Sequence, residues 1–186
     1  MAQHTLSVLV ENSPGVLARV ASLFSRRGYN IDSLAVGPTE NPAISRMTIV
    51  LNLEGHALDQ VSAQLFKLVN VIGIQEMTAE DSRQRELLMI KVKNSSDSRT
   101  AIESIVNRYK GEIVDETKAS LTIEAIGTSK EIAALVADLN KYGVKELVQS
   151  GLIAIEKGDV TLVERTLKET GLASSESHSQ TADYQN

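Results

Sequence analysis

The order of hydrophobic periodicities repeats once along this chain, and that repeat limits the fold more than any single motif does. Residues 5–10 (TLSVLV) are apolar and β-rich, as a strand requires. Helical spacing follows: Val16, Leu17, Val20, Leu23 and Phe24 share one face, with Arg19, Ser22, Arg26 and Arg27 off it. Gly28 suits a left-handed stop at the helix end. Residues 31–36 alternate, Gly37-Pro38 and Asn41-Pro42 mark a turn, and residues 45–53 (SRMTIVLNL) alternate again, which predicts a hairpin. Helical spacing returns over residues 56–69 through Leu58, Val61, Leu65, Leu68 and Val69, and residues 71–77 (VIGIQEM) predict a closing strand. The order is β-α-β-β-α-β.

The same order then recurs: strand 86–92, helix 97–109 stopped by Gly111, strands 113–116 and 120–126, helix 129–142, and strand 144–155. A period of about 80 residues is too long for a solenoid unit and suits two copies of a split β-α-β fold. The expected class is α+β, with two tandem ferredoxin-like domains over residues 1–80 and 81–158. The polar stretch 78–85 (TAEDSRQR) lacks Gly and Pro, so a short link is expected there. Residues 159–186 form an extension. A short helix is predicted over 159–170, with Leu162, Val163 and Leu167 as its apolar side and Gly171 as its stop. Residues 173–186 (ASSESHSQTADYQN) have almost nothing to bury, which predicts a disordered tail.

Composition removes several kinds of chemistry. There is no Cys, so disulfides, thiolate zinc sites and cysteine nucleophiles are excluded. Aromatics are 3% of the chain with no Trp, so the cores must be aliphatic. No apolar run approaches the roughly 18 residues of a membrane span. MAQHTLSVLV enters a strand-like pattern at once, which leaves no room for a targeting segment; a cytoplasmic protein is expected. The net charge is −5, of which residues 159–186 carry −3, so a near-neutral body offers no footprint for nucleic acid or an anionic membrane. The three histidines, His4, His56 and His178, lie too far apart in the predicted order to converge. No nucleophile elbow, phosphate loop or metal spacing is present. The acid pairs Glu80-Asp81 and Asp115-Glu116 read as a solvated link and a strand end, since neighbouring strand residues point to opposite faces. Arg26-Arg27 complement the helix dipole or reach a partner protein.

Two phrases carry more. In ENSPGV, Asn12 or Ser13 can cap the following helix, Pro14 suits its first turn, and Gly15 has no side chain to block the exposed N–H groups. Such a helix start attracts a carboxylate, although strand-turn-helix punctuation also accounts for it. In GYNIDSL, the amide of Asn30 can accept from an ammonium and donate to a carboxylate. A helix of about 13 residues holds the two phrases roughly 20 Å apart. They can share a small ligand only if two copies pair with these helices antiparallel, which makes two equivalent sites about a two-fold axis.

The residues that carry both phrases, SVLVENSPGVLARVASLFSRRGYNIDSL, together with SRMTIV, QLFKLVNV, LLMIKV, IVDET, IEAIGTSKEIAALVADL and YGVKELVQSGLIAI, closely resemble the regulatory (small) subunits of acetolactate synthase, also called acetohydroxyacid synthase. The resemblance covers about residues 4–158. It implies an N-terminal amino-acid-binding ACT domain, a second domain of related shape, and no catalytic centre or cofactor in this chain. It implies a homodimer whose catalytic partner carries thiamine diphosphate, magnesium and FAD, and which this chain stimulates and makes sensitive to valine or another branched-chain amino acid. Matched residue by residue, the effector loop falls on Asn12, Gly15, Val16 and Leu17, and the facing contact on Asn30 and Ile31. The second domain has Asn94-Ser95-Ser96-Asp97 in place of a Pro-Gly loop, so no effector site is carried there.

Other readings use the same element order. An RNA-recognition domain needs aromatics on its central strands, and LSVLV and SRMTIVLNL offer none. A free-standing amino-acid sensor acting on transcription or another enzyme remains, as does an enzyme acting alone on pyruvate, from which no turnover is expected.

Overall fold

A computed structural model describes residues 2–54 and 57–169, without the side chains of Leu167 and Glu169. The predicted starts at His56 and stops at Gly171, His178 and the 173–186 tail fall outside the described residues.

The first half contains β1 (Ala2–Glu11), α1 (Val16–Arg27), β2 (Ile31–Pro38), β3 (Ile44–Leu53), α2 (Ala57–Leu65) and β4 (Val71–Glu76). Its antiparallel sheet has the order β2-β3-β1-β4. Alternation decides which side is buried under the helices: Leu6, Val8 and Val10 of β1 and Met47, Ile49, Leu51 and Leu53 of β3 meet α1 and α2. Helix α1 contributes Val16, Val20 and Phe24, spaced four apart on one face, while Leu17 stays 42% exposed at the edge of that face. Helix α2 ends at Leu65, short of the predicted Val69. Lys67 and Leu68 donate to Gln64 and Leu65 in tight turns, which leaves Val69 outside and returns Val71 to the sheet.

The second half repeats the plan with β5 (Ser82–Lys93), α3 (Ser96–Arg108), β6 (Glu112–Glu116), β7 (Ser120–Gly127), α4 (Ser129–Asn140) and β8 (Val144–Gln149). The sheet order is β6-β7-β5-β8. Leu88, Ile90 and Val92, with Leu121 and Ile123, face Ile102, Val106, Ile132, Leu135 and Leu139 of the helices.

The polar 78–85 stretch is a turn of four residues followed by strand. Thr78 Oγ1 donates to Asp81 Oδ2 at 2.8 Å and Ser82 N–H returns to Thr78 O at 3.0 Å; β5 starts at Ser82. The polar residues Ser82 to Arg85 pair with β9 (Ile153–Glu156) through backbone groups, which need no apolar side chains. The predicted strand 144–155 is thus interrupted at 150–152. Leu87 N–H donates to Ser150 Oγ at 2.9 Å there, and the pairing of β5 shifts by one residue between β8 and β9, as at a bulge.

Beyond β9, the chain forms α5 (Leu162–Glu169), which starts three residues after the predicted 159; the predicted end at 170 lies outside the described residues. Reciprocal bonds between Thr161 and Glu164 start it: Glu164 N–H donates to Thr161 Oγ1 at 3.1 Å, and Thr161 N–H to Glu164 Oε2 at 2.9 Å. Helix α5 and β9 lie against the side of the first sheet that α1 and α2 do not cover. Leu162 and Ala154 join Leu9 and Met77 in a separate core, and the backbone of Gly73 in β4 approaches Thr166 so closely that a Cβ there would lie 2.4 Å from Oγ1. No helix among the described residues is long and apolar enough to cross a membrane.

Candidate functional site

The junction between β1 and α1 is held from below and open in front. Asn12 N–H donates to Ala43 O at 2.7 Å, and the Asn12 side-chain amide donates to Pro42 O at 2.9 Å. Asn12 therefore braces the β2–β3 turn instead of capping α1, and Ser13 does not cap it either. Gly15 occupies the cap position at φ 84° and ψ −7°, a left-handed conformation, with no side chain bonded to the helix start and no acid in the first turn. The first amides of any helix lack acceptors within it and carry the positive end of its dipole. A Cβ built on Gly15 would meet nothing within 4 Å, so an anion can approach these amides. The Val16 side chain is 4% exposed in the core, leaving only its backbone for a ligand, whereas Leu17 projects outward.

Arg19, one turn further, donates to Asn70 Oδ1; Asn70 Nδ2 donates to Glu11 Oε2 at 2.5 Å, and Glu11 N–H to Asn70 O at 2.9 Å. This chain of bonds fixes α1 to the end of β1 and the start of β4. The sequence reading missed it because Asn70 lies far away along the chain.

At the opposite end of α1, Gly28 adopts φ 69° and closes the helix onto Phe24 and Ser25. Asn30 is exposed. Its Nδ2 donates to Asp32 Oδ1 at 2.7 Å, and Asp32 Oδ2 accepts from Asn52. The expected donation from Asn30 to a carboxylate is thus directed inside the chain, and Asn30 Oδ1 beside Asp32 forms an acceptor pair suited to an ammonium. Ile31 is half-buried against the first core. The structure brings Asn12, Gly15, Val16 and Leu17 together at one end of α1, with Asn30 and Ile31 beyond the other. A 12-residue helix separates the two groups by about 18 Å within one copy.

Ser33 lies two residues past Ile31, where the β2–β3 register shifts. Its Oγ accepts the N–H of Leu152, at 2.8 Å, from the second half. Beside it Gly151 rests on the β2 backbone: a Cβ there would lie 2.3 Å from Leu34 O. The strand that starts at Ile31, directly after Asn30, is therefore in contact with the β8–β9 bulge. No local sequence signal marks a pair 119 residues apart.

The remaining candidate groups serve structure. Asp81 accepts from Thr78, Glu116 pairs with Arg99 at 2.6 Å, and His4 Nδ1 lies 2.7 Å from Glu76 Oε1. Arg26 and Arg27 occupy the last turn of α1, where cations complement the dipole. Among the described residues no group of three or more His, Cys, Asp or Glu could hold a metal.

A four-stranded antiparallel sheet of order β2-β3-β1-β4, with both helices on one side and an open glycine-started helix after the first strand, is the architecture of an ACT domain, and the second sheet repeats its plan. Two family models agree. The AHAS small subunit-like ACT domain matches residues 6–73, and the small subunit of acetolactate synthase matches residues 85–158. The acetolactate synthase small subunit of Mycolicibacterium smegmatis is 52% identical over 155 residues, covering 83% of this chain and 91% of the relative. The probable small subunit of Archaeoglobus fulgidus is 44% identical over 157 residues, covering 84% and 98%. The crystal structure of the Thermotoga maritima small subunit superposes with a TM-score of 0.79 at 32% identity, covering 86% of this chain and all of that one. The chain belongs to the family of acetolactate synthase small subunits, which are regulatory and not catalytic.

Proposed function

We propose that two copies of this chain pair through their first halves and bind a branched-chain amino acid at each of two equivalent sites, and that the dimer binds, stimulates and confers feedback inhibition on an acetolactate synthase catalytic subunit in the cytoplasm. The catalytic subunit supplies thiamine diphosphate, magnesium and FAD; this chain supplies the sensor. The observation that carries the reading is the start of α1. Gly15 leaves the first turn without a side-chain cap and unobstructed, only the Val16 N–H having a long bond, 3.5 Å, to Ser13 O, and the effector's carboxylate completes it. Its ammonium lies against Asn30 Oδ1 and Asp32 of the other copy, and its side chain against Leu17 of the first copy and Ile31 of the second. Asn12 holds the loop in place through Pro42 and Ala43.

Such a pocket separates valine from alanine by only a few kcal/mol, since each buried methylene contributes about 1 kcal/mol. Inhibition further requires two states that bind the effector differently. The contact of Ser33 with Leu152 supports β2 as the element that passes the change on, because it touches the second half two residues from the site.

Calorimetry with valine, leucine and isoleucine tests the site. At least one should bind the native chain, and Gly15→Asp and Asn30→His should abolish its heat while circular dichroism stays native. Gly15→Asp acts twice: it sets a carboxylate against the incoming one and forces a side chain into a conformation that costs about 1 kcal/mol. Unchanged heat in either variant refutes the pocket.

A further inference from the structure

The charges of the first half are sorted in space. Of the five Lys and Arg in residues 1–80, four line one groove of about 510 Å³ between α1 and α2: Arg19, Arg26, Arg27 and Lys67. None of the seven Asp and Glu of that half lines it. Arg26, Arg27 and Lys67 have no hydrogen-bond or ion-pair partner among the described residues, and Arg19 is held by the neutral amide oxygen of Asn70. Asn70 in turn donates to Glu11 Oε2, so an amide stands between that carboxylate and Arg19.

Helix dipoles account for part of this arrangement. They favour cations in the last turn of α1 and just beyond α2, where Arg26, Arg27 and Lys67 stand. They disfavour Arg19, in the first turn of α1, and they put no bar on acids across the groove. Gathering four like charges without a counter-charge costs the folded state self-repulsion, which a bound anion would offset.

The groove has the size of a small-molecule site. From Arg19 to Arg27 it runs about 12 Å along α1, too short to follow a nucleic-acid backbone. A protein partner needs exposed apolar anchors at the centre of its interface, but the apolar lining is Ala18, Leu23 and Leu68, and both leucines are packed against the first core. Guanidinium groups have the planar fork that matches the oxygens of a phosphate, and Lys67 adds a point charge. Arg19 spends one N–H group on Asn70 and keeps others for a ligand.

We infer that this groove is a binding site for a small polyanion carrying phosphate groups, of the class of inorganic diphosphate. The site is separate from the one proposed for the amino acid: Leu17 lies about half a turn round the axis of α1 from Arg26. The inference stands or falls apart from the effector reading.

The test is calorimetry of the full chain with inorganic diphosphate and, separately, with citrate, at fixed pH and ionic strength. A chain of net charge −5 has no general attraction for anions, so a saturable heat reports a local site. Diphosphate should bind the native chain. Arg26→Gln/Lys67→Gln, which changes exposed side chains without partners, should weaken it at least about tenfold while circular dichroism stays native. Arg27→Gln alone should weaken it by a smaller factor. Lys118→Gln/Lys130→Gln removes the same charge from exposed positions in the second half and should leave the affinity unchanged. Absence of saturable heat, unchanged affinity in both groove variants, or an equal loss in the second-half variant overturns the site. Citrate binding as tightly as diphosphate overturns the assignment to phosphate, since charge alone would then be read.

Discussion

The strands β1 and β5 lead into helices at equivalent points of the two halves, but the junctions are built differently. At β1–α1, Gly15 stands at φ 84° with open space before it. At β5–α3, Ser95 takes the cap position in an extended conformation. The space around it is occupied: Asn94 donates to Thr117 O at 2.8 Å, and Arg99 bridges Glu103 and Glu116 at 2.9 and 2.6 Å. The sheets differ in the opposite sense. The first sheet's free side is closed by β9 and α5, burying Ser7, Leu9 and Thr48 almost completely, whereas the second sheet's side is left uncovered by the described residues. One plan therefore yields an open helix start with a closed sheet, then a closed helix start with an open sheet. The difference comes from a glycine at one cap and from the segment added after the second repeat.

Leu9 and Met89 occupy free-side positions on β1 and β5, and truncating each measures the asymmetry. Leu9→Ala removes a side chain with no exposed surface and should cost about 3 kcal/mol in chemical denaturation. Met89→Ala, at a position 37% exposed, should cost under about 1 kcal/mol. Equal losses would mean that both faces are covered in solution, and the contrast would fail.

Gly151→Ala addresses the joint between the halves. A Cβ 2.3 Å from Leu34 O and 2.8 Å from Ala35 N meets backbone, which cannot rotate away, so the bulge must lift from β2. Overpacking of this kind costs about 2 kcal/mol. If β2 carries the signal, the variant should retain effector heat but lose feedback on the holoenzyme. Retained feedback would place the coupling elsewhere.

Both β-α-β-β-α-β modules were legible because their strands and helices impose different apolar periods, as in Val16, Val20 and Phe24 against Leu88, Ile90 and Val92. What escaped was set by backbone or by distant partners. Asn12 and Ser13 are good capping residues by type, but a glycine in the left-handed region decides where α1 starts. Ser82 to Arg85 look like a linker because strand pairing with Ile153 to Glu156 uses amides and carbonyls that every residue has. Leu162 and Val163 announced a short amphipathic helix, though not that Gly73 would make room for it on the first sheet. For the candidate site, the glycine that leaves the helix start unobstructed was readable in ENSPG, but the missing side-chain cap was not, since Asn12 or Ser13 was expected to supply one. The Asp32 bond that turns Asn30 toward an ammonium was not, since either amide orientation suits the sequence.

Helix α4 supplies the last comparison, because it carries within the chain the carboxylate that α1 is proposed to take from a ligand. Thr128 Oγ1 accepts from Glu131 N–H at 3.3 Å, and Glu131 Oε2 accepts from Thr128 N–H at 2.8 Å, a complete capping box. Thr128→Ala should cost about 1 kcal/mol. The bond from the Thr128 amide, and then that from its hydroxyl, hold the Glu131 carboxyl below the ordinary value of 4.5. A depressed folded value stabilises the folded state above the ordinary range, and this contribution is lost as pH falls through the depressed value. Acid should therefore loosen the start of α4. Hydrogen exchange, corrected for its intrinsic pH dependence, should show the Glu131 amide protected at neutral pH and losing protection in acid. The Leu17 amide should be weakly protected at both, and gain protection when the effector is added at neutral pH. A Leu17 amide already as protected as that of Glu131 without effector would mean that α1 is capped from within, and the open junction would be lost as a ligand site.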